Sequence, residues 1–196
     1  MPLSVPPPPA ALRAALRQGT DNLHMRLDAG IGPLTTKAEY LAYLQGSFAF
    51  RAAIEPALHA AEAAGWTPIC LAPAIAEDLA TLGLDRPRPV TAPALEGVPA
   101  IAGALYVLEG SALGGVLIAR RAAALGYGPD SGAAHLYRQT AQQGRWRAFL
   151  AWMEGHDPDP RLSVAAARAV FGVALQAYAV APGPGGPRSK PKANGA

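Results

Sequence analysis

The sequence predicts an all-α fold, and three observations carry that prediction. Leu12, Leu16, Leu23 and Leu27 recur at spacings of four, seven and four, a stripe along one face of a helix. Thr36 followed by Glu39 is a capping box, the local signature of a helix start. A long apolar run from about Ile101 to Leu125 ends at Gly126, where a helix would stop. No alternating strand pattern of useful length and no internal repeat interrupts this reading. The 196 residues suit one domain that buries its core without disulfides.

The elements follow in chain order. Residues 1–9 form a proline-rich arm that cannot serve as the apolar segment of a signal peptide. The helical domain spans residues 10–180 and opens with the leucine-striped helix. A second helix starts at Thr36 and runs through Tyr40, Leu44 and Phe48 to Leu58, with Pro56 breaking or bending it. A third covers about Pro73 to Leu82, with Gly83 as its C-cap. Residues 84–99 hold four prolines and one glycine and read as a loop wrapping the body. The apolar helix from Ile101 comes next, then one from about Ala133 to Met153 with Gly144 inside it. The last starts at a Ser163 cap and ends near Tyr178. Residues 181–196, beginning Ala-Pro-Gly-Pro-Gly-Gly-Pro, are expected to form a disordered tail.

Composition narrows the function. The net charge is +3, and part of it sits in the tail around Arg188, Lys190 and Lys192. No dense Lys/Arg run with interleaved aromatics appears, which argues against nucleic acid as a partner. The single cysteine, Cys70, excludes an intrachain disulfide and a multi-cysteine metal site. The expected location is the cytoplasm.

The most informative stretch is Tyr106-Val107-Leu108-Glu109-Gly110-Ser111-Ala112-Leu113-Gly114-Gly115, which puts three glycines inside an apolar helix. Each glycine costs about 1 kcal/mol relative to alanine in a helix. Three cost about 3 kcal/mol, against a typical domain stability of about 5–15 kcal/mol. Glycine offers close approach of another body to the backbone, or a bend. Three readings arise. A membrane span fits the length and the small-xxx-small spacing of Gly110 and Gly114, but Glu109 opposes it and no membrane partner is expected. Close packing of a second helix is another. The third is a flat ligand lying against two glycine faces.

On the first helix, His24 continues a stripe of Arg13, Arg17 and Thr20 beside the leucine stripe. A neutral imidazole there is able to ligate a metal centre while Arg17 pairs with an anionic part of the same ligand. The plainer alternative is a partly exposed histidine without a role. His59, His135 and His156 form no zinc-type cluster with one another. Asp157 and Asp159 read as turn residues.

The segments Leu16-Arg17-Gln18-Gly19-Thr20-Asp21-Asn22-Leu23-His24-Met25-Arg26-Leu27 and Tyr106 to Gly115 resemble the two haem-facing helices of heme oxygenases. The likeness is nearer to the bacterial branch often associated with bacteriophytochromes. It covers about residues 10–180 and includes Asp78-Leu79 and Trp146-x-x-Phe149. The resemblance implies a heme oxygenase-like helical bundle with haem between a proximal and a distal helix. It implies His24 as the iron ligand and Gly110, Gly114 and Gly115 as distal glycines that let the helix bend over haem. Arg17 takes the position of a propionate partner, with Arg145 or Arg147 as a second and Tyr106 in the binding set. Many relatives carry an aspartate where this chain has Ser111, so proton delivery must be built differently here.

The activity so implied is oxidative cleavage of haem, as substrate and cofactor, to biliverdin, carbon monoxide and ferrous iron. It needs O2 and an electron donor such as a ferredoxin or flavin reductase. A bacteriophytochrome is an implied recipient of biliverdin. A non-catalytic haem carrier or sensor on the same fold is the alternative, and a helix-docking interaction module is a third.

Overall fold

The helical periodicities close into a bundle built around its last helix. The computed structural model describes residues 9–180. The expected arm and tail lie outside them, except that Pro9 already opens the first helix. In chain order the helices are α1 Pro9–Ile31, α2 Lys37–Ala60, α3 Ala72–Thr81, α4 Gly97–Ala124, α5 Ala134–Thr140, α6 Arg145–His156 and α7 Pro160–Val180. No strand occurs among the described residues.

Helix α7 is the common support, since α1, α2 and α4 all pack on it. It buries Ala167, Val170, Phe171, Ala174 and Ala177. Leu12 and Leu16 of the predicted leucine stripe are buried in the same core, and Leu23 and Leu27 pack at its edge. From α4 come Ile101, Ala104, Leu105 and Leu108. The α4–α7 crossing is close because α4 carries Gly103. A Cβ there would be driven into the Ser163 carbonyl oxygen and stand 2.8 Å from both Ala166 Cβ and Ala167 N. Further along, α4 leaves the core: Leu113, Val116 and Leu117 are exposed. Helices α4 and α7 are long and apolar enough to cross a membrane. Here both serve as packed elements of the bundle.

Several boundaries differ from the sequence expectation. The Thr36–Glu39 capping box is present as read. Pro56 does not end α2, which continues to Ala60. Burial of Ile54 and Leu58 on either side outweighs the lost hydrogen bond. The wrapping loop ends earlier than Pro99, because α4 starts at Gly97. The expected helix from Ala133 to Met153 is two helices, α5 and α6. Gly144 between them has φ +78°, which helical geometry does not allow. Ser163 is not the cap of α7. Asp159 takes that role, its Oδ1 accepting from the backbone N–H of Arg161 at 2.8 Å and of Leu162 at 3.0 Å. Ser163 is buried one turn inside and donates to the Asp159 carbonyl at 2.8 Å.

Helices α3 and α5 start without a side-chain cap of their own. Buried carboxylates from other helices replace them. Glu55 of α2 accepts from the N–H groups of Leu71 and Ala72 at 2.8 and 2.9 Å, at the start of α3. Asp78 of α3 accepts from those of Ala134 and His135 at 2.9 and 3.0 Å, at the start of α5. Charge-assisted bonds of this kind contribute about 1.5–3 kcal/mol each, and the helix dipole adds to them.

The glycines of α4 give a paired test. Gly103→Ala forces a methyl into the α4–α7 crossing and lowers stability by about 1–3 kcal/mol. Gly114→Ala meets no neighbour within 4 Å and raises the stability of the ligand-free protein by up to about 1 kcal/mol. Urea unfolding midpoints of the two variants check both signs.

Candidate functional site

The divergence of α4 from α7 leaves a cleft of about 470 Å3 between α1 and α4. That is within the usual range for small-molecule sites, about 300–1,000 Å3. Phe171, Ala174 and Tyr178 of α7 lie at its base, and Tyr43, Ser47, Phe50 and Arg51 of α2 form its inner side.

On the α1 wall stand Arg13, Arg17, Thr20 and His24, the stripe read from the sequence. The leucine stripe anchors α1 in the core, and helical geometry turns the neighbouring stripe toward the cleft. Thr20 is buried and donates to the Leu16 carbonyl at 2.8 Å. The His24 side chain is 63% exposed, with Nδ1 3.0 Å from Asp28 Oδ2. Its ring stands edge-on to Phe171, with centroids 6.0 Å apart. When Nδ1–H donates to Asp28, the Nε2 lone pair is left for a ligand, the arrangement that orients metal-binding histidines. Asp28 was missed in the sequence, although its position four residues after His24 was a usable signal.

The α4 wall presents Tyr106, Gly110, Ser111 and Gly114. It runs as one continuous helix through its glycines. A Cβ on Gly110 would come no nearer than 3.8 Å to the Trp146 ring. Burial pushes the Tyr106 phenol up, and Arg13, Arg17 and Thr20 across the cleft work against it. Ser111 Oγ donates to the Leu108 carbonyl at 2.6 Å and accepts from Arg51 Nη2 at 2.9 Å. The buried Arg51 is held in turn by Glu55, 3.4 Å away. With its oxygen turned toward this group, the Gln139 amide accepts from Ala112 N–H and from Arg51 Nη2, both at 3.2 Å.

Three residues expected at the site stand elsewhere. Gly115 is turned one helical step away, against α5, where a Cβ would lie 3.1 Å from the Gln139 side-chain amide. Its lack of a side chain serves helix packing. Arg147 is exposed on α6 and does not line the cleft. Arg145 is taken by Glu109, with Nε to Oε2 and Nη2 to Oε1 both 2.7 Å, and it also donates to the Thr67 carbonyl. Trp66 Nε1 donates to the same carboxylate at 2.8 Å. Glu109, the charge inside the apolar helix, is thereby paired.

His135 is the opposite case, unremarkable in the sequence and central in the structure. It is 1% exposed, and its Nδ1 lies 2.7 Å from Asp78 Oδ2. Its ring stacks on Tyr43 at 6.2 Å between centroids. The partners are 57 residues apart, so no local pattern announces them. Burial pushes the His135 imidazole below its ordinary 6.5, more strongly than Asp78 holds it up. Burial also acts to raise the Asp78 carboxyl, but the His135 side chain and two backbone N–H groups outweigh it and hold it below 3.8. The folded pair is therefore a neutral imidazole donating to a carboxylate.

Both shifts are downward, so both groups bind protons more readily in the unfolded chain. Their stabilisation is complete above pH 6.5, declines as His135 is passed, and declines again below 3.8. We expect the urea midpoint to fall between about pH 8 and about pH 5, and His135→Asn to flatten that slope. An equal slope in the variant and the parent would contradict this protonation assignment.

No family model matches the chain, and no curated protein matches it. Among solved structures it is similar to the NO- and CO-bound heme oxygenase from Neisseria meningitidis. The TM-score is 0.70 and the sequence identity 24%, over 90% of this chain and 98% of that one. The all-α fold of this chain is the heme oxygenase fold.

Proposed function

We propose that the cleft binds haem and that the protein is a heme oxygenase, converting haem to biliverdin, carbon monoxide and ferrous iron with O2 and reducing equivalents. One observation carries this reading. Across a single cleft, the imidazole of His24 faces a stretch of α4 backbone bared at Gly110 and Gly114. The similarity in fold to the Neisseria heme oxygenase supports it.

The residues suit a flat apolar disc with a central metal and two carboxylates at one edge. His24 would bind iron through Nε2, with Asp28 holding the ring on its other nitrogen. Gly110 and Gly114 let the α4 backbone lie close over the disc, where any larger side chain would intrude. Arg17, with Arg13 beside it and Tyr106 opposite, would bind the propionates and so set the in-plane orientation. Bound there, haem supplies both the iron that activates O2 and the ring that is opened. Ser111, steadied by Arg51 and the Leu108 carbonyl, offers a hydroxyl but no charge on the α4 side. Electrons would come from a ferredoxin, a flavin reductase or a similar donor. The motif resemblance extends the proposal to biliverdin delivery to a bacteriophytochrome.

A second reading, a haem carrier or sensor, draws on that same Ser111, which lacks the carboxylate of many relatives. Haem added with a reductant in air distinguishes them. We expect the Soret band to shift on binding and then decay as a biliverdin band grows toward the red. A stable oxy spectrum would favour the carrier, and no haem complex at all would leave an interaction module. His24→Ala should keep some haem in the cleft yet lose turnover, and Gly114→Leu should block uptake or turnover. Full activity in the first variant would remove His24 from the role of ligand.

A further inference from the structure

We propose that His135 is a positioning residue that holds a water molecule on the α5 wall of the cleft, beside the Arg51–Ser111 pair. The inference rests on the haem-cleaving reading above, which needs protons delivered into a cleft whose α4 side offers only an uncharged hydroxyl.

The geometry is that of an oriented imidazole. Asp78 takes the Nδ1–H at 2.7 Å, so Nε2 carries the lone pair. Among the described residues, His135 Nε2 is the one buried side-chain nitrogen or oxygen without a hydrogen-bond partner. The ring lines the cleft and is 1% exposed. A buried acceptor left unpaired is costly, and an ordered water is the usual remedy where other polar groups stand near. They stand near here: Gln139, four residues on, lies on the same face of α5 and lines the same cleft. Through Gln139 the wall continues to Ser111 and Arg51. The charged and titratable groups around His135 are Asp78 of α3 and Tyr43 and Arg51 of α2. A carboxylate behind an imidazole fixes its tautomer and ring orientation, so Nε2 stays a neutral acceptor aimed at the water. The Asp78–His135 pair thus gives the cleft a fixed anchor for a proton-relaying water, which Ser111 alone does not supply.

His135→Asn is the informative variant. Its amide N–H can still reach Asp78 at the Nδ1 position, while the Nε2 acceptor is lost. A high-resolution crystal structure of the ligand-free parent should show a water within about 3 Å of Nε2, and the variant should lack it. In the haem-loaded variant, haem affinity should stay within about twofold. The pH midpoint of the ferric visible spectrum should move by about half a unit or more, and turnover at neutral pH should drop about tenfold. A dry Nε2 packed on carbon in the parent overturns the proposal even if the variant fails to fold. So does an unmoved spectral midpoint in a folded, haem-binding variant. If the parent takes up no haem at all, the haem reading fails with this proton role, while the crystallographic water still decides whether Nε2 is a hydrated acceptor.

Discussion

The α4–α7 crossing at Gly103 is the contact on which the rest of the architecture depends. With no side chain at that position, the α4 backbone sits directly on the Ser163–Ala167 turn of α7. Two long helices brought so close at one end separate toward the other, because straight helices cross at an angle. The separation opens where α4 carries Gly110 and Gly114, and α1, anchored on the far side of α7, closes it into a cleft. Other small residues maintain the approach of α1 and α2 to α7. Gly46 is one: a Cβ there would lie 2.5 Å from the Tyr178 ring.

Buried carboxylates hold the shorter helices in register with this frame. Glu55 ties the start of α3 to α2, and Asp78 ties the start of α5 to α3. Glu109 anchors the first residue of α6 to α4 through Arg145. Each joins elements whose short helical spans would be marginal alone. The same groups reach the cleft indirectly. Glu55 steadies Arg51, which steadies Ser111, and Asp78 sets the orientation of His135. Structural capping and the arrangement of the site are therefore served by the same charges.

The two sides of the cleft are chemically unequal. The α1 wall is cationic and carries the accessible imidazole of His24 with its Asp28 partner. The α4 wall is bare backbone flanked by Tyr106 and Ser111, and the inner polar groups, His135 Nε2 excepted, are already engaged with one another. The proposed flat, partly anionic ligand would meet interior polar groups oriented beforehand, which favours reactions that need a preset geometry.

Much of this was legible in the sequence because it is encoded locally. The leucine stripe, the Thr36–Glu39 box and the long apolar run each depend on residues a few positions apart, so periodicity and capping chemistry determined an all-α chain. The same logic put Arg13, Arg17, Thr20 and His24 on one face of α1. What periodicity cannot determine is which body a glycine faces. Of the glycines in α4, Gly103 meets α7, Gly115 meets α5, and Gly110 and Gly114 face the cleft. Only the angle at which α4 lies across its neighbours decided among them. The His135–Asp78 pair, the loss of Arg145 to Glu109 and the remoteness of Arg147 were decided in the same way. Each depends on contacts between segments far apart in the chain, and burial, not local propensity, selects those contacts.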